Sequence, residues 1–121
     1  QATAFCATQG KRLPTEAEWE AAARQTPTAA VLRQPQPVHS AGTGPIHLHG
    51  NAAEWVQDWY DPTYYAASPD SAPAGPDYGD YKSYRGASWE EPGLGATSRN
   101  YHNPDRGGPH IGIRCARDAA D

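Results

Sequence analysis

Aliphatic side chains are scarce in this sequence. Leu, Ile and Val number 4, 3 and 3 and Phe occurs once, so these types supply about 9% of 121 residues. That lies well below the ~20% at which disorder becomes the default reading. There is no Met, no apolar run near the ~20 residues of a membrane span and no signal-peptide pattern. The first residue is Gln1, so a processed or partial chain is expected and the missing signals say nothing about location. Cationic residues are also few: Lys and Arg total 10 against 14 Asp and Glu, a net charge of -4. The Arg residues are scattered and form no phosphate-binding stripe, which excludes the usual nucleic-acid footprint. What the chain does have is 4 Trp, 7 Tyr, 12 Gly and 12 Pro. Low net charge and large amphipathic rings argue for a folded, loop-rich single domain.

Local signals order the chain. Residues 2–9 suit a short helix, with Gly10 as its left-handed terminator. In Leu13-Pro14-Thr15-Glu16-Ala17-Glu18-Trp19-Glu20-Ala21-Ala22-Ala23-Arg24, Thr15 as N-cap and Glu18 three residues on form a capping box. Glu16, Glu18 and Glu20 favour the positive end of that helix and Arg24 its negative end. Residues 25–44 hold three Pro and read as an exposed connector, with one short strand or turn at 28–33. Trp55 and Trp59 share one face of either a helix or a strand, so their spacing leaves both open. Residues 61–80 read as a long surface excursion, 81–89 as a strand, and the alternation in 110–115 as a terminal strand.

Four ordered phrases resemble one family. They are Phe5-Cys6 with Gly10-Lys11-Arg12-Leu13-Pro14-Thr15-Glu16-Ala17-Glu18-Trp19-Glu20; then Gly50-Asn51-Ala52-Ala53-Glu54-Trp55-Val56-Gln57-Asp58-Trp59-Tyr60; then Arg85-Gly86-Ala87-Ser88-Trp89; and a closing block of 99–105 with Ile111-Gly112-Ile113-Arg114-Cys115. Together they are similar to the sulfatase-modifying-factor, or formylglycine-generating-enzyme-like, domain. Ala53 stands where the family usually has Trp, and Ala87 replaces a Gly. The resemblance implies an α+β, irregular, loop-rich fold related to C-type lectins. It also implies that residues 1–121 are one such domain without the family's N-terminal strands. The connector lacks the family's Trp-Gly phrase, and another segment or chain would cover the exposed edge.

The resemblance further bears on chemistry. Cys6 and Cys115 match a structural disulfide pair in some members, with buried free thiols as the alternative. Closing so long a loop is worth about 4–5 kcal/mol. The family's true enzymes bind copper(I) through two closely spaced cysteines after the Gly-Ser-aromatic phrase, because a soft metal wants thiolates. Here 89–99 contain no Cys, so no copper and no formylglycine synthesis are expected. The closing block also resembles that of sulfoxide synthases, whose iron-binding histidines lie in a separate domain. In many members the second block wraps a calcium. Gly50, Ala52 and Glu54 match those ligand positions, while His47 replaces an Asn and suits a hard cation poorly. The block therefore either holds calcium or is closed by hydrogen bonds alone. His47 and His49 have no recognised zinc or copper spacing and read as hydrogen-bonded or solvated.

Trp55 and Trp59 are expected in the core, and Arg12, Arg85, Arg99 and Arg114 as guanidinium forks for buried acceptors. Residues 89–110 are polar, glycine-rich and aromatic-tipped. Trp89, Glu90, Glu91, Arg99, Asn100, Tyr101, His102, Asn103, Asp105 and His110 form the candidate ligand surface. Adaptable polar groups with rigid rings suit recognition, and the stretch resembles the variable region of retroelement-diversified proteins of this fold. An ordinary solvated loop is the plainer reading. Tyr64, Tyr65 and the tyrosines of 78–84 form a second docking face or a cover for a thin core. The expectation is a non-catalytic binding or assembly module with a protein partner, stapled by Cys6 and Cys115 in an extracytoplasmic compartment. The enzymatic alternative is an oxidoreductase accessory domain whose metal ligands lie outside this chain.

Overall fold

Thr15 starts a helix as its sequence context demands. The computed structural model describes residues 1–25, 52–88, 97–108 and 110–118. In α2 (Glu16–Arg24), Thr15 Oγ1 accepts from the Glu18 amide at 3.2 Å and the Thr15 amide donates to Glu18 Oε1 at 2.8 Å. Two amides that begin the helix are thus satisfied reciprocally. Upstream, α1 (Ala2–Thr8) ends where expected. Gly10 has φ +68°, and the Gly10 and Lys11 amides donate to the carbonyls of Ala7 and Cys6 at 3.0 and 2.9 Å. A side chain at that φ would be strained, which is why glycine closes this helix.

Among the described residues, four strands make one sheet in the order β3-β2-β1-β4. They are β1 (Ala53–Trp59), β2 (Lys82–Arg85), β3 (Arg99–His102) and β4 (Ile111–Gly112). β2 lies antiparallel between β1 and β3, and β4 runs parallel to β1. The ambiguity over Trp55 and Trp59 is settled as strand, with a register irregularity between them against β2. The terminal strand is shorter than its alternation suggests. After Gly112 the chain leaves the ladder; Arg114 reaches Glu54, and Cys115 reaches Cys6. Residues 61–80 form the expected excursion, with a single 3-10 turn at Tyr64–Ala66. The expectations for 26–51, including a strand or turn at 28–33, and for 89–96 lie outside the described residues.

The core corrects one expectation. Strand alternation places Glu54, Val56 and Asp58 on the face that α2 covers, and all three are buried. Trp19 and Ala23 of α2 pack on Val56 there. Trp55 and Trp59 belong to the opposite parity and are only half-buried, so they flank the core rather than fill it. One wide ring, Trp19, suffices because a nine-residue helix covers little of the sheet. Cys6 and Cys115 form the disulfide, with Cα atoms 5.5 Å apart and a sequence separation of 109. Beside it, Arg12 and Ala116 exchange backbone hydrogen bonds. Among the described residues no helix is long and apolar enough to cross a membrane.

Candidate functional site

The acids of α2 do more than favour a helix dipole. Glu16 is fully buried, and a carboxylate there needs a partner. Arg99 of β3 supplies it: Nε donates to both oxygens at 3.1 Å and Nη2 to Oε2 at 2.9 Å. Arg85 Nη1 adds a longer contact of 3.8 Å, while its Nη2 donates to Glu20 at 3.0 Å. On the same sheet face, Glu54 Oε1 accepts from the Trp19 indole at 2.9 Å and from Arg114 Nε at 2.8 Å. Arg12 clasps Glu18 at 2.7 and 2.9 Å and reaches Asp118. All four arginines expected to serve as structural forks do so. Arg99, also placed in the candidate ligand surface, therefore turns inward.

Asp58 completes this buried face. Its Oδ1 accepts from the Glu16 amide at 2.9 Å, while Oδ2 is buried without a hydrogen-bond partner. Gly75, at φ +85°, leaves no room for more than a hydrogen: a Cβ there would lie 2.9 Å from Asp58 Cβ and Oδ2. Burial, reinforced by the Glu16 charge, pushes the Asp58 carboxyl up to about 6. Between the ordinary carboxylate value near 4 and about 6, the native state binds this proton and the unfolded chain does not. Stability should therefore fall as pH rises through that window. Asp58→Asn keeps the acceptor and abolishes the ionisation. Urea denaturation from pH 4 to 8 should show a flatter profile and a gain of about 2–3 kcal/mol relative to wild type at pH 8. An unchanged slope would refute this. Glu18 acts in another window, because Arg12 holds its carboxyl down to about 2. Its contribution is present above about 4.5 and is lost as pH falls toward 2.

The candidate ligand residues do not share one face. Trp89, Glu90 and Glu91 lie outside the described residues. Residues 99–102, expected within a loop, form strand β3, because their amides pair with β2. Alternation then divides them. Asn100 stands opposite Tyr84, and its half-buried side chain leaves Nδ2 without a partner. His102 meets the Trp55 ring edge-on at 6.1 Å, and His110 meets Tyr84 at 5.9 Å. These three keep to the Trp55 side of the sheet. Tyr101 pairs with Ser83 and projects on the other side. Asn103 and Asp105 sit in the turn after β3, where Asn103 Oδ1 accepts from the Asp105 amide at 2.8 Å.

Tyr101 builds a surface that its neighbours in sequence do not. Its ring stacks on Tyr60 at 4.5 Å and lies 5.0 Å from Tyr81. Half of Tyr101 and 45% of Tyr81 remain exposed. Arg99 backs the cluster, 5.2 Å from Tyr60 and 4.8 Å from Tyr65. Beside it is a cleft of about 230 Å³ lined by Ala17, Glu20, Arg24, Tyr65, Arg85 and Arg99. The buried guanidinium groups there already face Glu16 and Glu20.

The calcium set is described only in part, since Gly50 lies outside the described residues. Ala52 is half-buried next to β1. Glu54, the one carboxylate of the set, already answers the Arg114 guanidinium and the Trp19 indole. A divalent ion at this carboxylate would have to displace or share with those two donors. Among the described residues no group of three His, Cys, Asp or Glu is placed to hold a metal.

Sequence reasoning passed over Glu16 as a hub, Asp58, Tyr60 and Lys82. A usable signal existed for one of these positions, Asp58. Once residues 53–59 are read as strand, Glu54 and Asp58 fall beside Val56 on the inward face, and buried acids require donors from elsewhere.

Comparison with known proteins identifies the family. The Sulfatase-modifying factor enzyme 1-like domain family matches residues 1–35 and 28–119. The serine/threonine-protein kinase Pkn1 of Chlamydia trachomatis is 35% identical over 140 residues, which cover 97% of this chain and 23% of the kinase. The formylglycine-generating enzyme of Streptomyces coelicolor is 33% identical over 162 residues, covering 98% of this chain and 50% of that enzyme. The chain thus spans half or less of the length of these relatives. The solved structure of PvdO from Pseudomonas aeruginosa superposes with a TM-score of 0.74 at 26% identity, covering 97% of this chain and 57% of that one. With a family model that covers nearly its whole length, the chain belongs to the sulfatase-modifying factor enzyme 1-like domain family.

Proposed function

We propose that this domain is a non-catalytic binding or assembly module that offers Tyr101, with Tyr60 and Tyr81, to a protein partner. The carrying observation is that stacked, half-exposed tyrosine cluster on a hydrogen-bonded strand. Rigid rings give contact area at low entropic cost, and tyrosine is enriched at interfaces. The copper chemistry of the family's enzymes needs paired thiolates. Both cysteines of this chain are engaged in one disulfide, and 89–99 contain none. A surviving disulfide suits an oxidising, extracytoplasmic compartment. Calcium on Gly50, Ala52 and Glu54 would compete with Arg114 for the same carboxylate, so the hydrogen-bonded loop is the reading adopted.

Peptide-display selection tests the proposal. Peptides enriched on the wild-type protein should lose about tenfold or more in affinity for Tyr101→Ser, since a truncated aromatic anchor costs upward of about 1.4 kcal/mol. Peptides that bind both proteins equally, or a selection that enriches none, would defeat it. In parallel, a cysteine-containing peptide incubated with the protein, copper(I) and oxygen should yield no more formylglycine aldehyde than a protein-free control. Aldehyde formed above that control would overturn the non-catalytic reading.

A further inference from the structure

On the sheet face away from α2, a cleft of about 190 Å³ opens between the start of α1, Leu13, the middle of β1 and the turn after β3. The Trp55 indole, Leu13 and Pro104 give it apolar walls, and Lys82 and Arg106 are its cations. No Asp or Glu is among the described residues that line it. Elsewhere, Arg12, Arg85, Arg99 and Arg114 each lie 2.7–3.0 Å from a carboxylate. Lys82 breaks that pattern. Half-buried, it donates to the Gln57 carbonyl at 2.8 Å and sits 4.1 Å from the Trp59 ring centroid, and both groups are neutral. An ammonium has three donors, and among the described residues one of them is used. Burial lowers its pKa, and the charge of Asp58, which makes no ion pair with it, offsets this only in part. Arg106 likewise has no ion-pair partner among the described residues.

We propose that this cleft binds a small free carboxylic acid with an apolar ring or chain, its carboxylate met by Lys82 and Arg106 and its body by Trp55 and Pro104. A bare inorganic anion would leave the indole wall in contact with water, and a neutral hydrophobe would leave Lys82 and Arg106 without an ion-pair partner. The volume, below the ~300–1,000 Å³ typical of drug-sized sites, restricts the ligand to a small molecule. The site is independent of the tyrosine surface, because Lys82 and Tyr101 belong to opposite faces of the sheet.

Calorimetric or NMR titration of the intact protein with phenylacetate tests it. Saturable one-to-one binding is expected with a Kd on the order of 1–10 mM, given about ten non-hydrogen atoms. The neutral isostere 2-phenylacetamide should bind at least about tenfold more weakly, as should Lys82→Gln toward phenylacetate. Arg106→Gln, in an exposed turn, provides a variant whose folding is not at issue and should also weaken binding by about tenfold. Equal affinity for the acid and the amide overturns the proposal. So does unchanged binding by Arg106→Gln, or an absence of saturation below about 50 mM.

Discussion

Removing the Cys6–Cys115 disulfide is expected to lower the melting temperature by about 15–20 °C. The bond closes a loop over a sequence separation of 109, and the chain-entropy relation gives roughly 4–5 kcal/mol for such a loop. For a domain of 121 residues the unfolding entropy turns that free energy into this shift. Few other terms can replace it, because the buried cluster over the sheet is Trp19, Ala23 and Val56 with Ala22 at its border. The disulfide also joins α1 to the segment that carries Arg114, so its loss loosens the clamp on Glu54. Calorimetry of the Cys6→Ala, Cys115→Ala double variant beside the oxidised protein provides the check. A melting temperature within about 3 °C of the oxidised protein would mean that the core holds the fold unaided.

Glu16→Ala should cost about 3–5 kcal/mol, the usual penalty for leaving one member of a buried pair unmatched. Glu16 is fully buried, Arg85 is 1% exposed, and Arg99 spends three of its four described hydrogen bonds on this carboxylate. Without Glu16, two guanidinium groups face the interior with less negative charge to answer them. The coupling distinguishes this account from simple loss of packing. Arg99→Met should be strongly destabilising alone but should add much less in the Glu16→Ala background. Additive losses in urea denaturation would show that the pair is not the unit that holds β3 to α2.

Much of the local structure was legible because it is encoded locally. The capping box at Thr15 and Glu18 and the left-handed Gly10 depend on residues within a turn of one another, and both are present as expected. The excursion over 61–80 announced itself by its four prolines. Trp55 and Trp59 were not decided locally, since spacing of four satisfies a helix and a strand alike. Pairing with Tyr84 and Lys82 of β2 chose the strand, and α2 then chose which face became core. The candidate ligand residues failed as a set for the same reason. A run of polar residues looks like one surface, but strand pairing of 99–102 sends Arg99 and Tyr101 one way and Asn100 and His102 the other.

By itself the sequence determined the family, through ordered phrases that survive in the closing Arg and Cys of 111–115. It also determined the likeness to a loop-rich fold pinned by arginines, because aliphatic poverty leaves few other ways to hold a chain together. The carboxylate for each arginine was decided only by tertiary structure. Glu16 and Arg99 are 83 residues apart, and Glu54 and Arg114 are 60 apart. Nothing in local propensity records such pairings. They arise when a helix and a sheet bury acids together and the interior, poor at solvating charge, accepts only the packing that brings a guanidinium to each.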